Sequence, residues 1–236
     1  DLHAKKVYYS DKNTKRREQY TLISAQTWTE LSNLGVSHCY QEGHNGQVGL
    51  KYAGRLANSP DGKSAYVCGR VSPGHEGLTH FQSSSNGTLT FKKNYNTTNS
   101  KLRGARDVVI SPSGKHVYVT DVSANGWAIR AFSRNVTNGD LSFVEEYTFG
   151  YGGGGQKYGK HPWLESLGLM AITPNGKHLS FVGNRLAILV TCGIDEATGK
   201  LTFLDKVSYN GYPNAISGTG EIIFSADGVY AYISGS

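Results

Sequence analysis

Charged residues stand immediately ahead of an apolar, strand-like run at four places along this chain of 236 residues: Arg55, Arg106 with Asp107, Glu165 with His161 nearby, and Glu221. Acids, bases and a histidine converging at one opening would bind a polar ligand or move a proton. The same residues would also line any solvated rim, and no catalytic motif ties them together. The eight histidines include no HxH or HExxH spacing, so no metal site is expected. No GxSxG elbow is present for nucleophilic hydrolysis. The run from Tyr151 to Lys160, YGGGGQKYGK, lacks the strand–GxxxxGK[ST]–helix context of a phosphate loop and reads as a connector. No catalytic residue and no cofactor are assigned from these patterns. Trp28, Trp127 and Trp163 could stack on sugars, although tryptophans more often pack a core.

These residues are positioned by a repeat. Ser59-Pro60-Asp61-Gly62-Lys63 returns as Ser111-Pro112-Ser113-Gly114-Lys115, as Thr173-Pro174-Asn175-Gly176-Lys177 and as Ser225-Ala226-Asp227-Gly228, at spacings of 52, 62 and 52 residues. A second turn signal keeps phase with the first: Asn86-Gly87, Asn138-Gly139 and Thr198-Gly199, with a leucine two residues after each glycine. Such glycines supply the positive φ of tight hairpins. Apolar runs such as Val108-Val109-Ile110 and Val117-Tyr118-Val119 flank them. Each repeat therefore predicts four short antiparallel strands, and no sustained helical period is present. Four-stranded units at a period of roughly 40–50 residues are the signature of a β-propeller blade. The expected fold is all-β, a propeller with about four blades in this chain or part of a larger one. The predicted blades are 55–95, 105–149, 167–207 and 219–236, the last completed by strands within 6–23. Pairing the ends in this way would remove sticky sheet edges, within one chain or by self-association between copies.

The strings Gly104-Ala105-Arg106-Asp107-Val108-Val109-Ile110-Ser111-Pro112-Ser113-Gly114-Lys115-His116-Val117-Tyr118-Val119 and Ala131-Phe132-Ser133-Arg134, with Gly139-Asp140-Leu141-Ser142-Phe143-Val144-Glu145, resemble the lactonase-like (6-phosphogluconolactonase-like) β-propeller family. The resemblance covers roughly residues 50–236. It implies a propeller, while no string here matches the family's active site. Since the first strand of a propeller blade lines the central channel, Arg55, Arg106, Asp107, His161, Glu165 and Glu221 would stand at its mouth as a candidate ligand site. The family's seven blades would need roughly 360 residues at this period.

Composition limits the partners. Charged residues make up 18% and the net charge is +6, with the densest basic cluster, Lys12, Lys15, Arg16 and Arg17, in a turn-like segment. That cluster is too narrow for a nucleic-acid surface. The longest apolar run, Leu186 to Val190, is too short to span a membrane. Cys39, Cys68 and Cys192 form no CxxC pair, leaving buried thiols or one disulfide plus a free thiol. The chain opens on Asp1 rather than Met, which reads as a processed chain or a fragment. Sequons at Asn86, Asn96 and Asn135 fall at the expected outer rim, where a glycan would leave the core undisturbed. From these features the expected function is an extracellular, secreted structural or interaction module without catalysis, with a protein partner or glycans as ligands. A lactone hydrolase and a carbohydrate-binding propeller are the alternatives.

Overall fold

The computed structural model describes residues 4–10, 17–23, 53–69, 77–85, 88–96, 100, 102–123, 126–149, 167–183, 188–208 and 221–234. All the regular elements among them are β-strands. The chain divides into two units, the first holding residues 1–39 and 85–88. In it, β1 (Ala4–Ser10) and β2 (Arg17–Ile23) pair with each other as an antiparallel two-stranded sheet.

The second unit holds the repeats. Blade 1 is β3 (Ala53–Asn58), β4 (Ser64–Gly69), β5 (Gly77–Ser83) and β6 (Leu89–Tyr95). Blade 2 is β7 (Ala105–Ile110), β8 (His116–Ser123), β9 (Gly126–Arg134) and β10 (Leu141–Phe149). Blade 3 is β11 (Leu167–Ile172), β12 (His178–Gly183), β13 (Ile188–Ile194) and β14 (Leu201–Ser208). A final pair, β15 (Ile222–Phe224) and β16 (Ala231–Ile233), repeats the first two strands of a blade. Each complete sheet is ordered as its strands follow in the chain, all antiparallel, as short hairpin connections require. The expectation of an all-β chain with about four blades' worth of strands holds.

The turn signals do what their spacing predicts. Gly62, Gly114, Gly176 and Gly228 have φ of 68°, 70°, 73° and 73°. Each donates its N–H to the carbonyl three residues back, at 2.8 Å in all four turns. The hydroxyl of that earlier residue (Ser59, Ser111, Thr173 or Ser225) accepts the N–H of the residue five further on, at or just before the start of the second strand, at 2.9–3.0 Å. Successive turns also touch. A Cβ built on Gly114 would lie 3.6 Å from Pro60, one on Gly176 3.5 Å from Pro112, and one on Gly228 3.4 Å from Pro174. The proline of each turn thus rests on the glycine of the next, so the Ser-Pro-x-Gly string is a joint between blades as well as a hairpin.

Between blades lie the apolar cores. Tyr66, Cys68, Leu78, Tyr95, Val108, Val117 and Phe132 fill the gap between blades 1 and 2. Tyr118, Ile129, Tyr147, Met170, Leu179, Phe181 and Cys192 fill that between blades 2 and 3. Two tyrosines also clasp the next blade: Tyr66 Oη donates to the Gly139 carbonyl and Tyr118 Oη donates to that of Gly199, the latter at 3.1 Å. The outer turn of blade 2 leaves no room at Gly139. A Cβ there would lie 2.2 Å from Ser64 Oγ and 2.5 Å from His80 Nε2, at a φ of +78°. Gly139→Ala should therefore lose about 2–3 kcal/mol of stability, combining left-handed strain with overpacking. Gly62 shares the strain but meets nothing within 4 Å, so Gly62→Ala should cost only about 1 kcal/mol. Urea unfolding of the two variants checks the difference.

Cys68 and Cys192 are free, buried thiols. Burial pushes the Cys68 thiol well up, with Asp107 and Asp121 adding to the effect. Burial likewise raises that of Cys192, to about 12. Neither is a nucleophile at neutral pH. Cys39 lies outside the described residues, as do Trp28 and Trp163.

Candidate functional site

The first strand of every complete blade begins with an irregularity. The pairing of β7 with β8 runs Ala105↔Asp121 and then Asp107↔Thr120, so Arg106 is an extra residue. One-residue slips occur at the same place in β3, between Ala53 and Leu56, and in β11, between Leu167 and Met170. Such bulges bend a strand and re-aim a side chain. The positions they serve are in phase: Arg55, Asp107, Leu169 and Glu221 follow one another at 52, 62 and 52 residues, the spacings of the turn glycines. One position per blade thus supplies an arginine, an aspartate, a leucine and a glutamate, three polar groups and one apolar.

The three polar side chains act on one another although they belong to three different sheets. Arg55 Nη1 lies 3.7 Å from Glu221 Oε1, and the two side chains are 46% and 63% exposed, open to an incoming molecule. Asp107 is 5% exposed. Its Oδ2 accepts the Met170 N–H from blade 3 at 2.6 Å and its Oδ1 accepts the Val108 N–H at 3.0 Å. Its own N–H donates to Thr120 Oγ1 at 2.9 Å. Burial pushes its carboxyl up to about 6; the two N–H donors and the Arg55 charge oppose this, and Glu221 adds to it. A carboxyl that changes protonation near neutrality beside an exposed cation is suited to proton transfer.

The remaining residues singled out from the sequence fall elsewhere. Arg106, displaced by its bulge, lies over the Trp127 ring at 4.4 Å from its centroid. His161 and Glu165 are outside the described residues, and the in-phase position of blade 3 is the partly buried Leu169. Asn135 is exposed on the turn between β9 and β10, where its Oδ1 accepts the Thr137 N–H at 2.9 Å. Asn96 is partly buried after β6, and Asn86 is outside the described residues.

Sheets of four antiparallel strands, repeated in phase and joined turn to turn, define a β-propeller, with Arg55, Asp107 and Glu221 at one in-phase position of its first strands. Residues 18–153 match the family model of the lactonase, seven-bladed β-propeller, and the chain belongs to that family. Among its relatives is a 6-phosphogluconolactonase of Formosa agariphila, 33% identical over 123 residues, which are 51% of this chain and 31% of that protein. A solved structure assigned as a 6-phosphogluconolactonase from Bacteroides fragilis is 26% identical, with a TM-score of 0.50 over 66% of this chain and 39% of that one. Another from Bacteroides uniformis shares the fold at 20% identity, with a TM-score of 0.51 over 87% of this chain and 48% of its own. The chain thus spans a third to a half of the length of these relatives.

These matches overturn the expectation of a structural module without catalysis. They favour the alternative reading, a lactone hydrolase. That expectation rested on the absence of a linear catalytic motif. In this fold a site converges from separate blades, and no linear motif is needed.

Proposed function

We propose that the chain contributes to a lactone-hydrolysing site, with Asp107 as the group that moves the proton. The supporting observation is the buried carboxyl of Asp107, poised near neutrality beside Arg55 and Glu221, in a chain of the lactonase family. Ionised Asp107 takes a proton from water as the water oxygen bonds to the lactone carbonyl carbon. The negative charge that grows on the carbonyl oxygen is met by the Arg55 guanidinium. The tetrahedral intermediate then collapses, the bond from carbon to ring oxygen breaks, and the ring oxygen takes the proton back from Asp107. The product is the open hydroxy acid, and the carboxylate is regenerated. Glu221 holds Arg55 in place through their ion pair.

The substrate class follows the relatives: an aldonic acid δ-lactone, with or without a 6-phosphate. The test is hydrolysis of glucono-δ-lactone and of its 6-phosphate, followed by acid release and corrected for spontaneous opening. Saturable turnover that falls at least tenfold in Arg55→Ala supports the reading. Rates equal to the uncatalysed background on both lactones would overturn it.

A further inference from the structure

Blade 2 contains a buried line of charge that its neighbours lack. Asp121 on β8 is fully buried. It accepts the Arg103 N–H on both oxygens, at 2.9 and 3.2 Å, and the Gly104 N–H at 2.6 Å. Arg130 Nε on β9 donates to it at 2.7 Å. The Arg130 side chain is 3% exposed, and its Nη1 bonds to Glu146 on β10, whose side chain is 29% exposed. The line therefore crosses three strands and ends at solvent. In the strand registers the corresponding residues are Gly69, Thr79 and Asn94 in blade 1, and Gly183, Val190 and Lys206 in blade 3.

Two blades of the same architecture form without these charges, so the blade does not require them. Burying ions is costly, and apolar residues in their place are often neutral or stabilising. What distinguishes blade 2 is what the line holds. Asp121 grips two consecutive N–H groups directly ahead of the bulge at Arg106, and the adjacent Thr120 receives the N–H of Asp107. A one-residue slip there would send Asp107 to the opposite face of the sheet.

We propose that Asp121, Arg130 and Glu146 are positioning residues that lock the segment from Arg103 to Asp107 and thereby hold the Asp107 carboxyl at the mouth. This rests on the reading of Asp107 as the proton-transfer group. Arg130 orients Asp121 through its Nε–H, and Glu146 anchors Arg130. The titratable and charged groups facing Asp107 itself are Arg55 and Glu221 across the mouth and the Cys68 thiol on β4, on which Asp121 also acts.

The test uses Arg130→Met, which keeps the length of the buried side chain, and Arg130→Lys, which restores the charge. Two readouts are followed: steady-state lactone hydrolysis, and the titration of the Asp107 carboxyl by carbon NMR. Arg130→Met should lower kcat ten- to a hundredfold with KM changed less than twofold. It should also move the Asp107 midpoint by at least half a pH unit, and Arg130→Lys should recover part of both. A folded Arg130→Met protein with wild-type kcat and an unmoved Asp107 titration overturns the proposal. If Arg130→Met does not fold, Glu146→Gln at the solvent end serves instead. It should shift both readouts in the same direction, and unchanged values overturn the proposal. The two readings fail separately. Full activity in Asp107→Asn removes the catalytic reading, whereas a displaced Asp107 titration in Arg130→Met still upholds the positioning.

Discussion

Asp107→Asn should abolish lactone hydrolysis while leaving the fold intact. Loss of a general base costs about 10²–10⁴-fold, so kcat should fall at least a hundredfold. The wild-type rate should rise with pH through a midpoint near 6, because the carboxyl is neutral below its raised value and a base above it. That limb should disappear in the variant. Stability should move the other way. Asp107 sits at about 6 when folded against an ordinary 3.8, so between those values the folded protein holds a proton that the unfolded chain has released. Wild-type stability therefore declines as pH rises from 3.8 to 6, by about 3 kcal/mol at 1.36 kcal/mol per unit. Asparagine carries no such cost, but it can accept only one of the two N–H groups that Asp107 accepts, a loss of about 1–2 kcal/mol. At pH 8 the variant should thus unfold in urea at no lower concentration than the wild type. A variant that is both inactive and clearly less stable would mark Asp107 as structural.

The second large effect concerns Arg134, whose side chain is fully buried at the joint between blades 1 and 2. Its Nη2 donates to both oxygens of Asp61 at 3.0 Å, its Nη1 to the Gly114 carbonyl at 3.1 Å, and its Nε to Tyr66 Oη at 3.2 Å. One guanidinium thus ties together the first turns of two blades and the tyrosine that clasps them. Arg134→Met should destabilise the protein by about 3–5 kcal/mol, as expected when one partner of a buried, hydrogen-bonded pair is removed. The pH response gives a second check. Burial acts to raise the Asp61 carboxyl, but bonds from Ser59, from the Lys63 N–H and from Arg134 hold it at about 2. A depressed carboxyl contributes stability that is present above its ordinary 3.8 and lost as pH falls through 2. That acid-side loss should be smaller in Arg134→Met than in wild type. A variant within about 0.5 kcal/mol of wild type at pH 7, on the scale of a solvent-exposed pair, would show that the joint does not depend on this residue.

The fold was legible because its signals are local. Asp-Gly, Ser-Gly and Asn-Gly declare their turns wherever they stand, and two such signals in phase leave little else for the strands between them to form. The mouth was legible only as a set of charges ahead of strands. Arg55, Asp107 and Glu221 differ in type, so their shared position is visible only when they are counted in phase with the turn glycines. Counting in that way would have replaced Glu165 by Leu169, an apolar residue that a search for charges passes over. The bulge sends Arg106 to Trp127, and the residue that holds the two N–H groups just ahead of it, Asp121, lies fourteen residues beyond Asp107. The line from Asp121 through Arg130 to Glu146 gave no sequence signal, since alternation along a strand does not reveal which inward-facing polar residues meet across three strands. The assignment to a module without catalysis failed for the same reason.

The in-phase position at the start of each first strand has an evolutionary consequence. Arg55, Asp107, Leu169 and Glu221 occupy the same address in successive copies of one unit, while most of the joints between copies are made elsewhere, by prolines, glycines, tyrosines and Arg134. A change at Arg55, Leu169 or Glu221 rewrites the chemistry of that end of the strands while leaving the proline, glycine and tyrosine joints in place, and duplicating a blade adds a fresh address to be edited. Leu169 is the address that holds a hydrocarbon side chain, so blade 3 sends only the N–H of the neighbouring Met170 to the Asp107 carboxyl. Exchanging that one leucine for a polar residue is the shortest route to a new specificity, by selection or by design.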